Sequence, residues 1–260
     1  MIYVLKNFNY DLHIHSCLSP CGSDDMTPNN IVNMASIKNL NIIAVSDHNT
    51  VKNCRAVIKA CENAELSLTV IPAVEITTSE DIHVLVYFRN LDAAEAFERE
   101  IIEEKRSFIK KIKNKPEIFG NQIIMNEFDE IIGEEENLLI SAIDLSVDYI
   151  YDIAKEYNAV AVPAHINKGT NGIIAILGSY PEYMGFKTVE INDKSNLNLN
   201  CADLQHKGVM QVISNSDAHY LWDIAEFDEP RDFAMQKITA EFIVNLLDAA
   251  PENQQNVGCF

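Results

Sequence analysis

The sequence predicts an α/β fold built on a parallel sheet, either open or closed into a barrel. Three observations carry this. Short apolar runs alternate with helix-like stretches along the chain, the order that crossover connections between parallel strands require. Some of those runs, such as residues 42–46, are continuously apolar, as in strands covered on both faces. Histidines and carboxylates recur just past the C-terminal ends of the predicted strands, the edge where sites of parallel folds assemble.

The elements follow in order. Residues 1–14 read as a strand whose end, Asp11-Leu12-His13-Ile14-His15, alternates polar and apolar, so Asp11, His13 and His15 share one face. A turn-rich loop covers 16–26, and Thr27-Pro28 opens a helix to about Asn39, with Thr at the cap and Pro in the first turn. Residues 42–46 form a strand ending at Asp47-His48-Asn49-Thr50, and a helix follows over 51–64. Apolar runs at 68–74 and 84–88 are strands, the first ending at Glu75 and the second preceded by His83. Residues 92–140 change character. They open with a charged helix over 95–115 and continue through an unassignable stretch at 119–133, so they read as an α-rich insertion or cap. A helix at 147–157 and a strand at 159–164 lead into His165. Strand, helix and strand at 188–191, 201–206 and 210–214 run into Ser216-Asp217-Ala218-His219, and a last helix spans about 239–249.

Composition bounds the function. The 260 residues are 47% hydrophobic and 23% charged, ordinary for a globular protein and enough for one large domain, here read as 1–260 with the insertion inside it. No apolar run approaches the roughly 20 residues that span a membrane. The N-terminus has no basic region or small-residue cleavage site, so a cytoplasmic protein without membrane association is expected. A net charge of −19 argues against long nucleic acid as a partner, because phosphate-backbone binders present a basic face. It leaves room for a small phosphorylated substrate, whose field bound ions can dominate. Six cysteines form no C-x-x-C pair and are expected as free thiols, with Cys17 and Cys21 as minor candidates for soft ligands.

Alone, D-x-H-x-H at 11–15 fits a metal site or two hydrogen-bonded edge-strand histidines equally. The rest of the chain decides. Six of the seven histidines, His13, His15, His48, His83, His165 and His219, fall at the same predicted edge with Glu75 and Asp217. His206 reads as an ordinary helix-end residue. His83 joins the edge if 76–82 form a tight return or if its strand is antiparallel. Neutral imidazole and carboxylate suit Zn, Mn or Fe. With one loop aspartate these residues make nine candidate ligands, enough for two or three divalent ions, and Glu75 is a natural bridge between them.

Taken together, D-L-H-I-H at 11–15, S-D-H at 46–48, Glu75, His83, P-A-H at 163–165 and S-D-A-H at 216–219 resemble the polymerase and histidinol phosphatase (PHP) family, in the family's order. The resemblance implies a distorted (β/α)7 barrel holding a three-metal cluster. By carry-over, His13, His15, Glu75 and Asp217 hold one ion, and Glu75, His83 and His165 a second. A loop aspartate, His48 and His219 hold the third. The family's S-D-G loop is longer here, and of Asp24 and Asp25 the second lies nearer the helix start and is the expected ligand. Asp11 is expected to orient an imidazole, and Asp47 and His219 to take part in catalysis.

The chemistry implied is hydrolysis of a phosphate ester in a small metabolite or nucleotide by a metal-activated hydroxide. No G-x-S-x-G elbow or phosphate-binding P-loop is present to suggest other machinery. Lys168 and Arg231 are candidate phosphate contacts, with plain surface charge as the equal alternative. Two readings from other classes remain, a metal-dependent amidohydrolase and a non-catalytic metal-binding regulatory domain. No polymerase or nuclease module accompanies the motifs, so a DNA-proofreading role is not expected. The oligomeric state is unreadable.

Overall fold

Thr27, Asn90, Ser146 and Thr239 each place a side-chain oxygen on a backbone N–H three residues on, and each begins a helix. The structure, a computed structural model, describes residues 6–182, 184–191, 201–226, 232–235 and 238–249. In chain order the first elements are β1 (Lys6–Ile14), α1 (Pro28–Ile37), β2 (Ile42–Val45), α2 (Cys54–Asn63), β3 (Thr69–Thr77) and β4 (His83–Phe88). A continuous helical run follows, in which α3 (Leu91–Phe97) passes through a π-helical turn, Glu98–Ile102, into α4 (Glu103–Ser107). The charged helix expected over 95–115 therefore stops at Ser107. α5 (Pro116–Phe119) and the strands β5 (Ile123–Met125) and β6 (Ile131–Glu134) occupy the stretch that resisted assignment. Then come α6 (Val147–Glu156), β7 (Ala159–Pro163), α7 (Ile173–Leu177), β8 (Thr188–Ile191), α8 (Cys201–His206) and β9 (Gln211–Ser214). A 3-10 turn at Leu221–Asp223, β10 (Asp232–Met235) and α9 (Ala240–Asp248) complete the order.

A six-stranded sheet in the order β10-β1-β2-β3-β4-β7 curls into a half-barrel, accompanied by two-stranded sheets β5-β6 and β8-β9. The sheet is not all parallel as expected. β1, β2 and β3 are parallel, but β4 runs against both β3 and β7, and β10 against β1. The reversal at β4 comes from a tight return. Thr78 N–H donates to Ile82 O at 2.9 Å, and Asp81 adopts a left-handed φ of +63°.

β2 explains why an unbroken apolar run was needed. Ile42 and Ala44 enter the cluster inside the curl, closed by Ile243, Val244 and Leu247 of α9. Ile43 and Val45 enter the cluster under α1 and α2. All four are fully buried, and burying a side chain the size of isoleucine is worth about 1.5–3 kcal/mol. Residues 92–140, expected as an insertion or cap, lie against the loops that leave β1 and β2. Cys21 N–H donates to Phe119 O, and Asn53 Nδ2 to Ile123 O. Asn49 Nδ2 donates to Leu139 O. No helix among the described residues is long and apolar enough to cross a membrane.

Candidate metal centre

Parallel pairing continues past the ends of the strands and brings their polar residues together. Single bridges join Ile14 to Ala218 and His48 to Glu75. In the β3–β4 hairpin Thr77 lies opposite His83, so Glu75, two residues from Thr77, faces the same side as His83. That antiparallel return is how a histidine preceding its strand reaches the site. Three turn residues at this edge, Asn49, His165 and Asp217, have left-handed φ values of +52°, +28° and +55°. Such conformations are strained for side chains other than glycine and concentrate where function over-determines the backbone.

Five imidazoles form a closed circuit. Ring centroids are 5.0 Å apart for His13–His15, 4.6 Å for His15–His48, 5.1 Å for His48–His83, 5.3 Å for His83–His165 and 6.0 Å for His165–His13. The Glu75 carboxylate lies within the circuit and touches every member. Its Oε1 is 3.0 Å from His83 Nδ1, 3.1 Å from His165 Nε2 and 3.4 Å from His13 Nε2. Its Oε2 is 3.0 Å from His48 Nδ1 and 3.5 Å from His15 Nε2. His219 stacks on His15 at 4.2 Å and borders solvent, its side chain 23% exposed.

The donors converge as metal ligands do. His13 Nε2 and His15 Nε2 are 3.1 Å apart, and Asp217 Oδ1 is 3.4 and 3.3 Å from them. Two donors each about 2.1 Å from a tetrahedral ion stand roughly 3.4 Å apart, so the spacing fits. His48 with Glu75 and His83, and His15 with His48 and His219, form two further convergent groups. Among the described residues, His83 Nε2 and His165 Nδ1 are buried without a hydrogen-bond partner. Buried polar atoms left unpaired are costly, and a cation gives donor atoms of this kind a partner.

Burial alone would push both site carboxyls up. The His83, His13 and His48 imidazoles instead pull Glu75 well below the carboxylate range, and His13 and His15 do the same for Asp217. Burial likewise presses His13 down, but Glu190, Glu75 and Asp217 hold it well above the usual histidine value. Burial, with neighbouring imidazoles, drives His15 well down and His48 to about 4. The pocket thus keeps Glu75 and Asp217 charged and His15 and His48 neutral, ligand states a divalent ion requires, whereas His13 holds a proton that an ion would have to displace.

Residues outside the motifs hold the ligands in position. Glu190 is wholly buried. Its carboxylate contacts His13 Nδ1 at 3.0 Å and accepts from His165 N–H at 2.9 Å and Asn215 Nδ2 at 2.7 Å. Its signal in the sequence was a lone carboxylate inside the apolar strand Thr188–Ile191. Ser19 Oγ meets His15 Nδ1 at 2.9 Å, accepts from His48 N–H at 3.1 Å and donates to Asp47 Oδ1 at 2.7 Å. Nothing local in a turn-rich loop marks Ser19 out.

Several expected residues stand elsewhere. Asp25 is exposed and outside the convergent groups, and Asp24 is exposed and accepts from Asn121 Nδ2. His15 stands with His48 and His219 where the loop aspartate was expected. Asp47 is enclosed by Ser16 N–H, Ser16 Oγ and Ser19 Oγ, each at 2.7 Å, and so anchors the 16–19 turn. Asp11 does not orient an imidazole: it accepts from Ser216 Oγ at 2.6 Å and from Ala225 N–H at 2.9 Å, holding the segment that carries Asp217 and His219. Lys168 Nζ lies 2.9 Å from Asp217 Oδ2 and is half-exposed. Cys17 Sγ donates to Ile123 O, and burial pushes its thiol up to about 12, which disfavours a thiolate ligand. Arg231 lies outside the described residues.

The fold has solved relatives. The lesion-specific endonuclease Q of Pyrococcus furiosus is 20% identical at a TM-score of 0.65, covering 95% of this chain and 57% of its own. Endonuclease Q bound to a 27-mer duplex with an abasic lesion is 19% identical at 0.56, covering 83% and 50%. This chain therefore spans little more than half the length of those two proteins. A Bifidobacterium adolescentis protein assigned as a metal-dependent phosphoesterase is 14% identical at 0.55, covering 93% and 97%. No curated protein matches the chain. The expected exclusion of long nucleic acid is overturned, because a protein of this fold is solved on duplex DNA. Net charge is a sum over the whole surface, whereas a polyanion meets the local field at the site, which ions held there would dominate. The profile of the PHP domain matches residues 11–194, which together with these ligand groups identifies the chain as a member of the PHP domain family.

Proposed function

We propose that this chain is a metal-dependent hydrolase of phosphate esters, with two to three Zn, Mn or Fe ions held by His13, His15, His48, Glu75, His83, His165, Asp217 and His219. One observation carries the reading: a single carboxylate, Glu75, in contact with five buried imidazoles. Ions bound there would lower the pKa of a water and neutralise charge on the phosphoryl oxygens. The chain's own residues do the rest. Glu190 and Ser19 fix the outward nitrogens of His13 and His15, so that both Nε2 atoms turn toward Asp217 and Glu75. His219 closes its donor group from the solvent side, and the Lys168 ammonium beside Asp217 is within reach of a phosphoryl oxygen. The substrate on this reading is a small phosphorylated metabolite or nucleotide. Likeness to endonuclease Q favours a second reading, a phosphodiester within DNA.

The test is metal content by elemental analysis of the wild type and Glu75→Ala, with hydrolysis of sugar phosphates, nucleotides, abasic duplex DNA and amide substrates on both. About two to three equivalents of metal are expected, partly lost with Glu75, and phosphate-ester turnover reduced roughly 100- to 1,000-fold, the scale set by losing an essential charge-stabilising group. Cleavage of amides alone would replace the esterase by an amidohydrolase. Ordered metal with no turnover of any ester would leave a metal-binding regulatory domain.

A further inference from the structure

Immediately after His219 the chain turns two aromatic side chains to solvent, one of them its only tryptophan. Trp222 is 64% exposed and Tyr220 41%. Their rings lie nearly parallel, 12° between planes with centroids 5.0 Å apart. The turn itself is anchored. Leu221 packs against the cluster under α1 and α2, Ile224 is wholly buried in it, and Ala225 N–H donates to Asp11 Oδ2. Ser23 N–H holds His219 O at 2.9 Å. Tyr220 is bonded directly to His219, and three trans peptide units keep the Trp222 Cα within about 11 Å of the His219 Cα.

A ligand bound through its phosphate at the metal centre needs a second point of recognition, and with 39 acidic against 20 basic residues the chain is poor in cations to supply it. An aromatic face supplies it without charge, because every nucleobase has a π-face and stacks on tyrosine or tryptophan whatever its sequence. We propose that Tyr220 and Trp222 form a stacking platform for an unpaired nucleobase whose own phosphate lies at the metal centre. This rests on the phosphoesterase reading of that centre. A free nucleotide and an unpaired base of a DNA strand share the chemistry and differ in length.

The emission of Trp222 reports on this turn alone. We would titrate the metal-loaded full chain with adenosine monophosphate, with a short single-stranded oligodeoxynucleotide and with base-free glycerol phosphate. Saturable quenching by either base-containing probe, and not by glycerol phosphate, is expected, and which of the two quenches at lower concentration identifies the source. Tyr220→Ala should weaken that binding roughly 5- to 100-fold, the scale of one lost base stack, and Tyr220→Phe should retain it. Trp222→Ala should lower kcat/KM for the base-containing substrate at least about ten-fold more than for glycerol phosphate. No saturable quenching, equal quenching by glycerol phosphate, or emission that changes only with protein concentration, as when a second copy covers the turn, would overturn the platform. Quenching without turnover supports the platform and defeats the esterase reading, and turnover without quenching does the reverse.

Discussion

Glu190 touches three partners at once, His13 Nδ1, His165 N–H and Asn215 Nδ2. Glu190→Gln keeps the volume and one acceptor but removes the charge that holds His13 in position and raises its basicity. Metal retained after dialysis against a chelator is expected to fall about 10- to 100-fold in apparent affinity, the usual effect of losing a carboxylate behind a metal-bound histidine. Retention equal to wild type would show that His13 holds its orientation without it. The candidate ligands were legible at this scale because few residue types bind divalent ions and six histidines gathered at one predicted sheet edge are hard to explain otherwise. Glu190 and Ser19 were not, because they matter through contacts made only in three dimensions, His13 and Glu190 being 177 residues apart. Asp47 and Asp11 show the converse. Each was singled out by its motif for a role beside an imidazole or in catalysis, yet its partners are turn backbone and serine hydroxyls.

The π-helical turn between α3 and α4 aims Glu98 at the loop that carries His48. Glu98 accepts from Thr50 Oγ1 at 2.7 Å and from Val51 N–H at 3.0 Å, and Arg106 donates to Asn49 O. Glu98→Ala would leave two donors buried and is expected to cost about 1–3 kcal/mol, read from the urea midpoint. Burial pushes the Glu98 carboxyl above the usual carboxylate range, against the hydrogen bonds from Thr50 and Val51. The folded chain therefore binds this proton more tightly than the unfolded chain does. That stabilisation is present below the unfolded pKa, near the ordinary glutamate value of about 4.3, and is lost as pH rises through the folded value. Glu98→Gln cannot ionise, so its stability relative to wild type should improve as pH rises through that window. A difference that stays flat with pH would mean that Glu98 titrates as an ordinary carboxylate. Most elements at this scale could be read from local signals: the cap at Thr27, period-2 alternation at 11–15, unbroken apolar runs at 42–46 and 159–164. The charged run at 95–115 misled. Helical charge spacing says nothing about where packing ends: Ala94, Phe97 and Ile102 bury in the core and Glu98 holds the loop after β2, and past Ile109 no side chain of the run joins that core.

For the whole molecule, the metal centre concentrates charge where few ordinary proteins tolerate it, with Glu75, Glu190, His13, His15 and His165 all buried to within 1%. Removing metal should therefore destabilise the entire chain. Ions at about 100 times their dissociation constant add about 2.7 kcal/mol per site, and at this size each kcal/mol moves Tm by about 2–4 °C. With two to three sites emptied, chelation is expected to lower Tm by roughly 10–30 °C and readdition of metal to restore it. A Tm indifferent to chelator would mean that the cluster binds no ion tightly.

The sequence by itself determined which side chains are available for chemistry, the α/β class, and the edge at which the chemistry gathers. These rest on short-range rules, namely side-chain periodicity, caps and the ligand preferences of metal ions. Only the tertiary structure decided that β4 runs antiparallel, so that His83 reaches Glu75 across a hairpin. It also decided that Glu75 stands among five imidazoles, and that Asp25 lies outside the cluster with His15 beside His48 and His219 instead. Backbone ladders form in either direction with nearly the same hydrogen bonds. Strand direction and ligand partnership are therefore settled by long-range packing, which no local pattern encodes.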